Sequence, residues 1–129
     1  MTISKLLDTD VLIWYLRGNQ NAYDLIHSIG QFSISSITYM ELVRGMRNKE
    51  ELRTLKRVLK QWHVKIIYVD EEISAQAIFY VEEYFLSHAM QLADALIAGT
   101  CATQGLTLYA ANDKHYRVVS ALDIVVFRA

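Results

Sequence analysis

An α/β domain with a central parallel sheet of four to five strands and helices on both faces is the fold class this sequence predicts. Three observations carry that reading. Short apolar runs alternate with segments of helical periodicity along the chain, as they do in successive βα units. The run "VKIIYV" (64–69) is apolar without alternation, the pattern of a strand covered on both sides. The 129 residues contain no proline, and the five glycines are scattered rather than gathered into a linker. One domain, 1–129, is therefore expected, long enough to bury a core without disulfides.

The elements follow in order. "ISKLLD" (3–8) reads as the first strand and "VLIWYLRG" (11–18) as a helix closed by Gly18. In "NAYDLIHSIG" (21–30) Ala22, Leu25, Ile26 and Ile29 share one helical face. "QFSISS" (31–36) is a short strand, and "ITYMELVRGMR" (37–47) and "EELRTLKRVLKQW" (50–62) are helices. In the latter, Leu52, Leu55, Val58, Leu59 and Trp62 form a stripe, with Arg53, Lys56, Arg57 and Lys60 mostly opposite. A strand over 64–69 precedes a long helix from about Glu71 to His88, whose apolar residues exceed what one face can bury. Another helix covers roughly 92–104 and stops near Gly105. "LTLYA" (106–110) and "DIVVF" (123–127) close the sheet.

Composition narrows the function. A net charge of −1 removes any global signal for nucleic acid, so a site for it must be a local patch. Cys101 is the single cysteine and reads as a small buried hydrophobe, which suits a reducing cytoplasm. No apolar run is long enough to span a bilayer.

The informative residues are acids placed where strands end, the position at which open parallel sheets bind ligands. Asp8 ends the first strand; with Asp10 read as the cap of the following helix, Asp8 is left for function. Glu41 stands three residues after Thr38, a capping-box spacing, and judged alone it reads as a cap residue. Asp94 is the one charged residue in "MQLADALIAGTCA", where it is either a first-turn helix acid or a partly buried functional group. Asn112 and Asp113 follow the strand 106–110 in what composition alone makes a loop. Together these acids would form an oxygen-rich pocket of the kind Mg²⁺ or Mn²⁺ prefers. Clustered carboxylates repel one another unless a cation neutralises them.

At these residues the chain resembles the PIN domain family and, within it, the VapC-type toxin ribonucleases. The resemblance spans essentially the whole chain. Its first acid lies in a D-[ST]-x-x-[LI] setting, here Asp8 with Thr9 in "LLDTDVLI". Its second lies in x-x-E-L-x-x-G, here Glu41 in "YMELVRG", and its third in D-A-x-I-A, here Asp94 in "LADALIAGTC". The resemblance implies a PIN-like α/β domain with Mg²⁺- or Mn²⁺-dependent endoribonuclease activity on structured RNA such as tRNA. It also implies a small VapB-type antitoxin partner; a homodimer is expected too, and the surplus apolar residues around Phe79 to Phe85 offer a surface for either the second copy or the antitoxin. The late family motif T-x-N-x-x-x-F is altered: Ala110 replaces Thr and Tyr116 replaces Phe. Asn112 aligns with the motif's polar position and Asp113 supplies an acid beside it, so either residue is a candidate to face the metal. Asp8, Glu41, Asp94 and Asp113 are thus the expected catalytic and metal-binding set. Arg44 and Arg47 are candidates for RNA phosphates, His115 for substrate contact, and Asn112 and Thr9 for fixing the site.

Two other readings stay open on sequence alone. "LLDTDVLI" approaches the D-x-D opening of haloacid-dehalogenase phosphatases, with Asp8 as nucleophile and Asp10 as acid. That reading leaves Glu41 and Asp94 without roles, and Leu12 fails the pattern. The other is a non-catalytic α/β binding module. No G-x-G-x-x-G follows any strand, which argues against a dinucleotide site.

Overall fold

The computed structural model of the chain describes residues 4–129, so residue 3 of the expected first strand lies outside the described residues. Five parallel strands form one sheet in the order β3-β2-β1-β4-β5. They are β1 (Lys5–Leu7), β2 (Ser33–Ser35), β3 (Lys65–Ile67), β4 (Thr107–Ala110) and β5 (Ile124–Val126). The helices are α1 (Thr9–Leu16), α2 (Gln20–Ser28), α3 (Ser36–Arg44), α4 (Lys49–Gln61), α5 (Glu71–Tyr84) and α6 (Leu92–Gln104). Every expected strand and helix is present.

Side-chain alternation divides the interior into two cores. Leu6, Leu108 and Ala110 pack with Ala77 and Tyr80 of α5 and Ala95, Ala98 and Cys101 of α6. Leu7 and Ile34 pack on the other side with Val11, Leu12, Ala22, Ile26, Leu42, Leu55 and Leu59. The alternation explains how the consecutive leucines of "KLLD" are both fully buried and serve opposite faces of one sheet.

Polar side chains set the helix starts. Asn19, Asn48 and Asp70 accept from backbone N–H groups in the first turns of α2, α4 and α5. Two expected caps move. Asp8, not Asp10, is the N-cap of α1, and its Oδ1 accepts from the Thr9 N–H at 2.7 Å. Ser35 caps α3, its Oγ accepting from the Ile37 N–H. Thr38 and Glu41 are thereby released from capping. The reason in both cases is that the strand runs straight into the helix, leaving its last or next residue at the cap.

The long helix ends at Tyr84 rather than His88, and the chain reverses at Ala89, with φ of 47°. Its apolar surplus is visible: Ile73, Ala77 and Tyr80 are buried, while Ile78, Phe79, Phe85 and Leu86 are exposed. α5 and α6 approach closely at Gly99, where an added Cβ would lie 3.0 Å from the Ile73 carbonyl oxygen and 3.3 Å from the Ala77 nitrogen. Because backbone atoms cannot yield as a side-chain tip can, Gly99→Ala should cost about 1–3 kcal/mol. Urea unfolding of the two proteins measures this; an unchanged midpoint would show that the helices part freely.

Candidate active site

The acids meet at the carboxyl edge of the sheet. Asp8 follows β1, Glu41 lies in the second turn of α3 after β2, Asp94 is in the first turn of α6, and the segment 111–116 follows β4. Two hydroxyl groups link them. The Thr9 hydroxyl donates to Glu41 Oε1 at 2.6 Å, with the Thr38 hydroxyl 3.1 Å away. The Tyr116 hydroxyl lies 3.0 Å from Asp8 Oδ2 and 3.3 Å from Asp94 Oδ1. Asp94 Oδ2 is 2.9 Å from His115 Nδ1, and His115 Nε2 is 3.2 Å from the Asn112 amide nitrogen. The amide donates, so Nε2 accepts and Nδ1–H points at Asp94.

The electrostatics of this cluster are those of carboxylates short of positive charge. Burial pushes the Asp8 carboxyl up to about 7. The Thr9 N–H and Tyr116 hydroxyl oppose the rise, and the charges of Asp10 and Asp94 add to it. Asp94 is also raised, first by burial and then by Glu41, against the pull of His115 and Tyr116. Among the described residues, no Lys or Arg forms an ion pair with Asp8 or Glu41. Nor does any group of three or more acid, histidine or cysteine side chains among them stand in metal-holding array. The three acids are joined through Thr9 and Tyr116 rather than converging on one point.

Asp113 does not join them, and the expectation of a metal-facing acid there is corrected. Its Oδ1 accepts from both Nη atoms of Arg128 at 3.2 Å, and its Oδ2 is ion-paired with Arg117 Nε. It is only 2% exposed, yet its cover is thin, consisting partly of two arginine side chains that are themselves about two-thirds exposed. Burial raises its carboxyl, but the Arg128 hydrogen bonds and the charges of both arginines outweigh that and hold it below the usual carboxylate range. Asp113 opens the single 3-10 turn Asp113–His115 and accepts the Tyr116 and Arg117 N–H groups at its carbonyl. It thus anchors the turn that carries His115 and Tyr116. Asn112 is the residue of that pair which reaches the cluster, through His115.

The arginines also separate. Arg44 lines a cleft of about 600 Å³ together with Glu41, Asp94, His115, Met40 and Leu92. Arg47 is turned the other way and pairs with Glu51, its Nε and Nη2 both donating to Oε2 at 2.9 and 2.6 Å. It borders a second hollow of about 670 Å³ between α1, α3 and α4, lined by Ile13, Leu42, Met46 and Leu55 and sharing Glu41 with the cleft. Cys101 is buried, and burial followed by the charge of Asp8 pushes its thiol up to about 12, which makes it inert. Thr38 and Tyr116 enter the site unforeseen as hydrogen-bonding groups. The tyrosine in place of phenylalanine was the one sequence signal for the second.

The PIN domain family model matches residues 5–122. Among solved structures, a toxin–antitoxin complex from Klebsiella pneumoniae superposes with a TM-score of 0.80 at 25% identity, covering 95% of this chain and 97% of that one. FitAcB from Neisseria gonorrhoeae gives 0.72 at 24% identity, covering 92% and 94%. DNA-bound VapBC from Salmonella typhimurium gives 0.78 at 19% identity, covering 97% and 98%. No curated protein sequence matches the chain.

Proposed function

The chain belongs to the PIN domain family, and from that premise we propose that it is a VapC-type toxin, a metal-dependent endoribonuclease held inactive by a small VapB-type antitoxin. The observation that carries the reading is the gathering of Asp8, Glu41 and Asp94 at the carboxyl edge of the sheet through Thr9 and Tyr116. Nothing in a stable fold requires a buried carboxyl raised to about 7 next to a second raised one. Such a cost is retained where a ligand relieves it.

The donor set fits Mg²⁺ or Mn²⁺. It is all oxygen, carries up to three negative charges and meets no lysine or arginine among the described ion pairs. Asp8, Glu41 and Asp94 would hold the ion, which activates water and stabilises the leaving oxygen of a phosphodiester when bound. The chain's other residues position and recognise. Thr9 fixes the Glu41 carboxylate by a charge-assisted hydrogen bond. Asn112 and Asp94 fix both nitrogens of His115 at the lip of the cleft. Arg44 on the cleft wall meets the phosphates of the RNA.

Partners follow from the surfaces. The hollow beside α3 sets apolar Ile13, Leu42, Met46 and Leu55 beside charged Arg17, Arg47, Glu50 and Glu51 and includes Glu41, so an antitoxin segment seated there brings an arginine fork within reach of the acids. The structural neighbour from Klebsiella pneumoniae, described as a toxin–antitoxin complex, supports that occupant. The exposed apolar face of α5 fits a second copy of the chain. No helix of the described residues is long and apolar enough to cross a membrane, and a cytoplasmic RNA such as tRNA is the proposed substrate.

The test uses purified chain and structured RNA. EDTA should abolish cleavage and Mg²⁺ or Mn²⁺ restore it; cleavage that survives chelation rejects the metal mechanism. Expressed alone, the chain should arrest growth of a bacterial host, and its cognate antitoxin should relieve the arrest. A folded, metal-loaded chain that cleaves RNA but leaves growth untouched points to a housekeeping nuclease.

A further inference from the structure

We propose that Tyr116 is a positioning residue of the metal site, whose hydroxyl pins the Asp8 and Asp94 carboxylates side by side before an ion arrives. The proposal rests on the reading of those two acids as metal ligands. Asp8 and Asp94 come from different elements, 86 residues apart in sequence, and make no hydrogen bond to each other. The group between them is the Tyr116 hydroxyl, 3.0 Å from one and 3.3 Å from the other. Its single proton serves one carboxylate at a time, so the two acids share one donor set between them.

The hydroxyl is fixed from behind. The Tyr116 ring is fully buried and packs in the core formed with Leu6, Ala95, Ala98, Leu108 and Ala110. Its backbone N–H is bonded to the Asp113 carbonyl, and the Asp113 carboxylate is itself clamped by Arg117 and Arg128. A ring locked by packing places its oxygen with little freedom, as supporting groups around metal ligands must. Phenylalanine would fill the same space and leave Asp8 with only the Thr9 N–H.

The full-length Tyr116→Phe chain and the wild type are titrated with Mn²⁺ by calorimetry after EDTA treatment, with thermal melts to verify folding. Groups that hydrogen-bond to metal ligands are worth roughly 10–100-fold in metal affinity. A loss of about tenfold or more in a folded variant is expected; unchanged or tighter binding overturns the proposal. A second measurement needs neither the variant nor the ion. In wild-type protein with ¹³C-labelled tyrosine, the Cζ signal of Tyr116 in mixed H₂O and D₂O should split, because a pinned hydroxyl exchanges slowly. An averaged Cζ signal overturns the pin. Wild-type protein that shows the split signal but takes up no Mn²⁺ rejects the metal reading and the positioning role with it.

Discussion

Asp94→Asn should reduce RNA cleavage by at least about 100-fold while leaving the chain folded, because the loss of one carboxylate charge from the ion's site removes several kcal/mol of transition-state stabilisation. The amide keeps the shape of the side chain and an oxygen that accepts from Tyr116, whose hydroxyl lies 3.3 Å from Asp94 Oδ1. What changes is charge, and with it the acceptor that Asp94 Oδ2 offers to His115 Nδ1. The folding cost is small: Asp94 sits in the first turn of α6, where an acid interacts with the helix dipole, a term of about 0.3–1 kcal/mol. Cleavage assays, far-ultraviolet circular dichroism and growth of the expressing host measure the three quantities together. Cleavage within tenfold of wild type from a folded Asp94→Asn chain would mean that this carboxylate carries no essential charge. Loss of cleavage with persisting growth arrest would separate toxicity from nuclease chemistry.

The sheet and its helices were legible because their signals are local. "VKIIYV" is a continuous apolar run and the stripe from Leu52 to Trp62 a period-3.6 pattern, and tertiary contacts only reinforce both. Asp8 and Asp94 were legible for a related reason, since one stands where a strand has just ended and the other in the first turn of a helix; Glu41 lies a turn deeper in α3 and was singled out by the resemblance alone. Caps were less so. Asp8 and Asp10 both suit the start of α1, and the choice depends on β1 ending at Leu7, a boundary fixed by pairing with β2 and β4. Thr38 and Glu41 have capping-box spacing, but Ser35 takes the cap and frees both to face Thr9. The fate of Asp113 could not be read at all. Its partner Arg128 follows β5, and only the β4–β5 pairing brings the two together. The charge of Asp113 made it resemble a ligand; the arginines make it an anchor.

Asp8→Asn should stabilise the metal-free chain by about 2–4 kcal/mol at pH 8 even as it removes activity. Burial raises the Asp8 carboxyl from 3.8 to about 7 in the folded chain. The folded state therefore holds its proton more tightly than the unfolded state does. That contribution is fully present below pH 3.8 and is lost as the pH climbs to about 7, where the folded carboxyl must also ionise. At about 1.4 kcal/mol per unit, the span of roughly three units sets an upper bound near 4 kcal/mol. The amide has no charge to desolvate, and it offers Thr9 an acceptor and Tyr116 a donor. Asp113 has the opposite slope: its lowered carboxyl contributes stability above its ordinary range and loses it in acid. Together these two carboxyls favour the metal-free wild type most near pH 4, above the loss at Asp113 and at the onset of the loss at Asp8. Urea unfolding in EDTA from pH 4 to 8 should show the variant's advantage opening across that window and vanishing at its acid end. Added Mn²⁺ should close the gap at pH 8 by stabilising the wild type alone, since only that chain keeps the full set of carboxylates. A constant offset between the two curves would show that ionisation of Asp8 costs the fold nothing, and would remove the energetic argument for a cation at this position.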